Sequence, residues 1–369
     1  MKKSLRKALG LAMMLGWAST ALTADQPGSG TGSASGSLPP AQQQVAPGGS
    51  CADGACWGGG CINEDCDPCC NVPGTGIIFS GGWHILRVNV NDNHAFSSTT
   101  AGATTATNFD YDFDSDYSLS AGYRGQCGLG ATVSWFHLDN SANTLTTTTT
   151  AARGTIPAIG VAAFVAAVAP VGTVLTASSD ITIDAWDFDV TQTVEVCRLD
   201  LTYGAGIRYL HVGQDINESA VTAAGAAAGR ASRTNSYDGA GPTIVLNGLR
   251  RFGCSGFGVY ANARGGLLFG DKTENASTTV GAATTSVTGT NDSTVGFAEI
   301  ELGAHWGKKM GNMYPFARLG FEGRQYWGIG NAANATVGFA TAPGIAPPGG
   351  NNSSPIGAYG IVLSGGIGF

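Results

Sequence analysis

The chain has 369 residues, of which 12% are charged, with 57 glycines and a formal net charge of −7. That length suits one large β-domain or two small ones. Low charge with only mild overall hydrophobicity does not suit a bundle of membrane helices, and an acidic balance argues against nucleic acid as a partner.

Residues 1–24 read as an export signal. Lys2, Lys3, Arg6 and Lys7 precede an apolar run from Ala8 to Trp17, then small residues that allow cleavage after Ala21 or Ala24. No cysteine stands at either site, so a lipid-anchored N-terminus is not expected. Loss of the four positive charges takes the net charge from −7 to −11. Residues 25–76 form the next expected unit, with 25–50 a flexible linker of Gly, Ser, Pro, Ala and Gln. Its second part carries six of the nine cysteines: Cys51, Cys56, Cys61, Cys66, Cys69 and Cys70. The C-x-x-C at 66–69 leaves zinc open. No histidine is near, however, and export leads to an oxidising compartment, so disulfides rather than a metal are the expectation. Cys127, Cys197 and Cys254 are the remaining candidates, and an odd total leaves at least one thiol for a partner or free.

From Ile77 to Phe369 alternating segments recur, roughly 77–90, 109–123, 128–138, 181–196, 199–212, 235–250, 256–270, 293–306, 313–326 and 356–369. The second, FDYDFDSDYSLSAGY, sets Asp110, Asp112, Asp114 and Asp116 two apart against Phe109, Tyr111, Phe113 and Tyr117. Only a strand puts i and i+2 on one face. In the fourth, Trp186, Phe188 and Val190 oppose Asp187 and Asp189; in the fifth, Leu199, Leu201 and Tyr203 oppose Asp200, Thr202 and Arg208. A soluble sandwich could bury such aromatics, but the connections decide otherwise. Residues 124–127, 197–198, 251–255 and 307–312 are short, whereas 91–108, 139–180, 213–234, 271–292 and 327–355 are long. Short turns at one end and long loops at the other belong to an all-β transmembrane antiparallel up-and-down barrel of about ten strands, with twelve if 139–180 hides a hairpin. On that reading both termini are periplasmic, the aromatics face lipid and the charges face the lumen. The uncharged Thr155–Ser178 is long enough to cross a bilayer as a helix. It is broken by Pro157 and Pro170 and poor in large apolar residues, so a surface loop, partly folded into the barrel mouth, is expected.

The expected lumen-lining set is Asp110, Asp112, Asp114, Asp116, Asp187, Asp189, Glu195, Asp200, Arg208, Arg264, Glu299, Glu301, Arg318, Glu322 and Arg324. Its acidic excess predicts mild cation preference. The aspartate ladder resembles the start of a calcium loop, but it lacks the Gly turn and distal Glu and continues as strand. GLGATV (128–133) has no following helix and so fails as a nucleotide loop. His84, His94, His137 and His211 fall in or near outer strand halves, close to Asp110 and Asp139. No nucleophile motif accompanies them, so no enzyme activity is expected. No cofactor is expected.

Four stretches, taken as a set, resemble a known family: FDYDFDSDYSLSAGYRGQCGLGATVSWFHLD (109–139), LDLTYGAGIRYLHV (199–212), GAGPTIVLNGLRRFGCSGFGVYANARGGLLFGD (239–271) and AEIELGAHWGKKMGNMYPFARLGFEGRQYWGIGN (298–331). They are similar to Legionella-type pore-forming outer-membrane proteins, in versions typical of planctomycetes. The long loops and residues 25–70 are not covered. The resemblance implies a pore in a Gram-negative-type outer membrane and supplies no catalytic residues. Phe369, ending an alternating strand, resembles the recognition signal of the barrel-assembly machinery. The expected function is passive passage of ions or small hydrophilic solutes, with outer-membrane lipid and that machinery as partners. The alternative is a structural barrel cross-linked by disulfides to itself or to other envelope proteins.

Overall fold

The computed structural model describes residues 75–91, 93–100, 103–125, 127–149, 154–157, 171–196, 199–252, 255–334 and 354–369. The expected export signal, the linker and the Cys51–Cys70 segment lie outside them. Ten strands make the wall: β1 (Gly76–Val90), β4 (Phe113–Arg124), β5 (Leu129–Ser141), β8 (Val174–Val196), β9 (Leu199–Val221), β10 (Ala227–Arg251), β11 (Phe257–Val280), β12 (Ala283–Gly307), β13 (Tyr314–Trp327) and β14 (Ile356–Gly368). They pair in the order β5-β4-β1-β14-β13-β12-β11-β10-β9-β8, and β5 also pairs with β8, from Leu129↔Gln192 to Ser141↔Asp180, which closes the ring. All of these pairings are antiparallel. The four short strands are β2 (His94–Thr100), β3 (Ala103–Asn108), β6 (Leu145–Thr148) and β7 (Gly154–Pro157). β6 extends β8 at its outer end, and β3-β2-β7 form a separate small sheet.

The period-2 rule sorts side chains as a membrane barrel requires. On β8, Trp186, Phe188 and Val190 are 41–48% exposed while Asp187 and Asp189 are buried. The same outward band continues around the ring through Phe79, Trp83, Tyr117, Leu119, Leu246, Phe269, Leu302, Phe321, Ile361 and Leu363, all exposed. Nearer the long-loop end the polarity inverts. Ile181, Ile183 and Ala185 turn inward and are buried, and Asp180, Thr182 and Asp184 take the outer positions. The strand has left the apolar band there, and its inner face now packs on folded-in loops.

This inversion explains where the structure departs from the sequence reading. Residues 213–234 and 271–292 are not loops. β9 and β10 run on to a turn at Thr222–Ala226, and β11 and β12 to a two-residue turn at Gly281–Ala282. Gly281 has φ +59, as a turn with glycine in its first central place needs. Thr-, Ser- and Asn-rich strands outside a bilayer carry no apolar stripe to betray them. β8–β12 therefore have 23–25 residues, whereas β1, β4, β5, β13 and β14 have 12–15. The Thr155–Ser178 stretch is strand at both ends, in β7 and β8, with 158–170 outside the described residues. β7 belongs to the small sheet and β8 is already a wall strand, so the stretch adds no hairpin to the ring, which stays at ten.

If the exposed band faces hydrocarbon, Ile361→Arg at its middle should cost about 2–4 kcal/mol, and Thr182→Arg beyond its edge about 0–1 kcal/mol. Urea titration of the protein folded into vesicles measures both; equal costs would contradict the placement of the band.

Candidate functional site in the barrel lumen

The inward positions of the wall enclose a cavity of about 410 Å³. Ten of the expected lumen residues line it: Asp187, Asp189, Asp200, Arg208, Arg264, Glu299, Glu301, Arg318, Glu322 and Arg324. They come from five different strands, brought together because each lies on the inward parity of its own.

A belt of ion pairs crosses the lumen at mid-height. Arg208 is 1% exposed and grips Asp187 through Nε at 2.7 Å and Nη2 at 2.8 Å. It reaches Glu299 as well, at 2.6 and 2.8 Å, across three strand intervals from β9 to β12, with its Cζ 4.2 Å from the centre of the Phe297 ring. Arg264 on β11 holds both oxygens of Asp189 on β8, at 2.9 and 2.6 Å. Arg324 on β13 contacts Glu299 at 3.3 Å and Glu322 at 3.1 Å, and its Cζ sits 3.5 Å from the centre of the Phe136 ring on β5, nearly opposite. His84 completes the row, with Nδ1 2.5 Å from Glu322 Oε1 and Nε2 2.8 Å from Ser118 Oγ. Buried charges persist only when paired and hydrogen-bonded, and the bidentate geometry of arginine meets that demand.

Toward the long-loop end the lumen is filled and mostly apolar, with a buried Lys272–Glu274 ion pair at 3.0 Å and buried Arg233 among the exceptions. Leu86, Phe96, Phe109, Tyr111, Leu138 and Ile329 are buried among the inward residues of β8 and β9. Polar ties pin this plug. Tyr111 OH lies 2.8 Å from Ser179 Oγ, Gln214 Oε1 accepts from Ala332 N at 2.8 Å, and Asn235 Nδ2 donates to the Ile329 carbonyl at 3.3 Å. Burial pushes the Tyr111 phenol above its ordinary pKa, so it keeps its proton for that contact.

The aspartate ladder is where the sequence reading fails. Asp110 and Asp112 are exposed and lie outside the wall, Asp110 pairing with Arg87 at 2.5 Å and Asp112 accepting from Asn143 at 2.7 Å. Phe109 and Tyr111 point inward instead. The strand begins only at Phe113; the preceding residues have turned over the mouth, held by the bridge from Tyr111 to Ala142 and by Phe109 N donating to the Asn93 carbonyl at 2.9 Å. Asp114 is exposed, with Oδ1 accepting from Ser115 N at 2.7 Å. Asp116 is buried and accepts from Asp139 N at 3.0 Å. Glu195 lies near the short-turn end and does not line the cavity. The outward histidines take single partners: His137 Nδ1 is 2.8 Å from Asp184 and His211 Nδ1 3.0 Å from Asp238. His94 Nδ1 is 2.6 Å from Asn108. Cys127 lies in the β4–β5 turn, and its carbonyl accepts from Gln192 at 2.6 Å. The other eight cysteines lie outside the described residues.

Several lumen residues escaped the sequence reading. Phe136, Phe297 and Tyr326 were hidden by the assumption that aromatics face lipid; their parity with buried neighbours was the available signal. Arg251, pairing with Asp200, sat in a stretch read as a turn.

A closed antiparallel ring with an apolar outer belt and a charged interior is the outer-membrane barrel architecture. The family model described as the Legionella pneumophila major outer membrane protein precursor matches residues 81–368. The chain belongs to this major outer membrane protein family. It is an outer-membrane protein. Among solved structures, the outer-membrane protease OmpT of Escherichia coli is similar at 7% identity, covering 79% of this chain and 95% of its own, with a TM-score of 0.44. The toluene transporter TodX of P. putida follows at 7% identity, 80% and 90% coverage and a TM-score of 0.26. The CymD monoaromatic hydrocarbon channel gives 8% identity, 80% and 89% coverage and a TM-score of 0.30. These are likenesses of fold, and no residue role is taken from them. No curated protein matches the chain.

Arg208→Ala removes the centre of the belt and leaves Asp187 and Glu299 short of compensation, which should cost about 3–5 kcal/mol in a urea titration. Neutralising the partners as well, with Asp187→Asn and Glu299→Gln beside Arg208→Met, should recover most of that loss. A silent Arg208→Ala would mean the belt is not formed.

Proposed function

We propose that this family member is a passive outer-membrane pore for ions and small hydrophilic solutes, held closed by two barriers in series. The observation that carries the reading is the charged cavity enclosed by a complete ring. A barrel serving only as a structural post has no need of a polar interior. The two barriers differ in kind: the plug is mostly apolar packing tied by scattered hydrogen bonds, among them Arg233 Nη1 to the Ala333 carbonyl at 3.2 Å, while the belt is a row of ion pairs. The plug is the barrier that changes at neutral side chains such as Gln214 and Asn235 can loosen.

The long-loop end is extracellular on this reading, with both termini and the short turns in the periplasm. Phe369, whose backbone N–H is 2.9 Å from the Ile77 carbonyl, stands where the last strand meets the first, as an assembly signal for the barrel-assembly machinery. The lipid-exposed band contacts outer-membrane lipid. Cation preference is mild. The cavity holds six carboxylates against five guanidiniums, so the acidic excess sits mainly at the outer mouth, on exposed groups such as Asp110, Asp112 and Asp114. No catalysis is proposed. The alternative, a barrel cross-linked through disulfides to other envelope proteins, draws on the cysteines outside the described residues.

Planar-bilayer recording of the refolded protein should show single-channel steps with a reversal potential favouring cations at low salt, and the preference should fade as salt screens the mouth. Gln214→Ala combined with Asn235→Ala should raise the open fraction, because both changes release the plug. Absence of conductance in wild type and in this variant would sink the pore. In intact cells, protease should cut within the long-loop segments and spare the turns at 125–128 and 308–313; cleavage at those turns would invert the topology.

A further inference from the structure

Six arginines line the charged cavity or stand at its short-turn end, and they divide into two classes. Arg208, Arg264, Arg324 and Arg251 each hold a carboxylate. Among the described residues, Arg124 and Arg318 hold none, although both line the cavity and both are partly shielded from solvent. An arginine kept in a lumen without a carboxylate calls for another source of negative charge.

The surroundings of Arg318 are ordered for such a ligand. Its guanidinium carbon lies 5.1 Å from the centre of the Tyr260 ring and 5.2 Å from that of Phe316, so aromatic faces fix the plane of the fork. Its Nε donates to His305 Nδ1 at 3.4 Å. With Nδ1 accepting, the imidazole carries its proton on Nε2, which faces the Tyr314 hydroxyl at 3.4 Å. The imidazole is thus a neutral prop, and among the described residues the two terminal nitrogens of Arg318 have no protein acceptor. Nearby carboxylates are already engaged. Asp200 is held by Arg251, and Glu301 accepts from Tyr260 OH at 2.5 Å and Asn262 at 3.0 Å. Arg124 shares the electrostatic neighbourhood of Arg318, Arg251, Asp200 and Glu195, which places it in the same end of the lumen.

We propose that Arg318, with Arg124 beside it, forms an oxyanion-binding site at the short-turn end of the lumen, taking a small phosphate or carboxylate. The terminal nitrogens of a guanidinium match two oxygens of either group in a planar, bidentate contact. A lysine ammonium has no equivalent of this fork, which gives the site a chemical signature beyond charge. The inference does not rest on conduction, since a closed barrel open to small solutes at one end can bind as well as an open one. A bound anion would also add negative charge to the lumen and strengthen the preference for cations.

The test is equilibrium dialysis of radiolabelled inorganic phosphate against the full-length refolded protein in detergent, with labelled acetate in a parallel arm. Heat-modifiable migration on a gel confirms that each variant is folded. Wild type should bind one of the two anions saturably, and the arm that binds names the class. Arg318→Gln should weaken binding about tenfold or more, as loss of a charge-assisted contact predicts. Arg318→Lys, the variant kept in case Arg318→Gln does not fold, should fall between, because it keeps the charge and loses the fork. Arg124→Gln should weaken binding as well, whereas Arg230→Gln, exposed on β10, should leave it at the wild-type level. Absence of saturable binding in both arms would overturn the proposal, and so would a folded Arg318→Gln or Arg318→Lys protein that binds as wild type does.

Discussion

A polypeptide in hydrocarbon has no water to satisfy its N–H and C=O groups, and this one constraint selects the architecture. An open ten-stranded sheet would leave two edges of unpaired backbone in lipid. The β5–β8 pairing removes both at once, running the full length of β5. Once the ring is closed, each strand has one face for lipid and one for the interior, and the placement of Trp186 and Phe188 outside with Asp187 and Asp189 inside follows from the pleat alone.

Closure also dictates how charge must behave within. A ten-stranded lumen is narrow, so long side chains from facing strands meet. Arg208 reaching Glu299 and Arg324 reaching Phe136 are consequences of that width as much as of their chemistry. The sequence supplies acids and bases on inward positions in near balance, which lets them neutralise one another at short range. Aromatic rings at Phe136 and Phe297 finish the job by shielding guanidinium faces from solvent.

The number of wall strands and the facing of most of them were legible in the sequence because a period of two is a strong signal wherever one face is apolar and the other polar. Legibility ended where that contrast ended. Past Asp184 on β8, and throughout the outer thirds of β9 to β12, the outward positions become polar, so strand reads as loop. Asp110 and Asp112 were misread for a related reason. Their alternation with Phe109 and Tyr111 continues smoothly into β4, yet nothing in the local pattern marks Phe113 as the point where the chain joins the wall. The belt itself was half visible: its acids and arginines stood out as charged inward positions, whereas His84, Phe136 and Tyr326 required knowledge of which strands lie opposite each other.

The ring is uneven in height. β12 is paired on both sides only from Gly296 onward, where β13 ends at Trp327; the residues from Ala283 to Val295 stand beside β11 alone. Five strands thus overtop the other five by roughly ten residues, ~33 Å measured along a strand. Among the wall strands the ladder of β8 to β12 therefore stands above the rim set by β13, β14, β1, β4 and β5. That raised flank is β-ladder, stiffened by its own hydrogen bonds, so this side of the mouth keeps its shape independently of the plug.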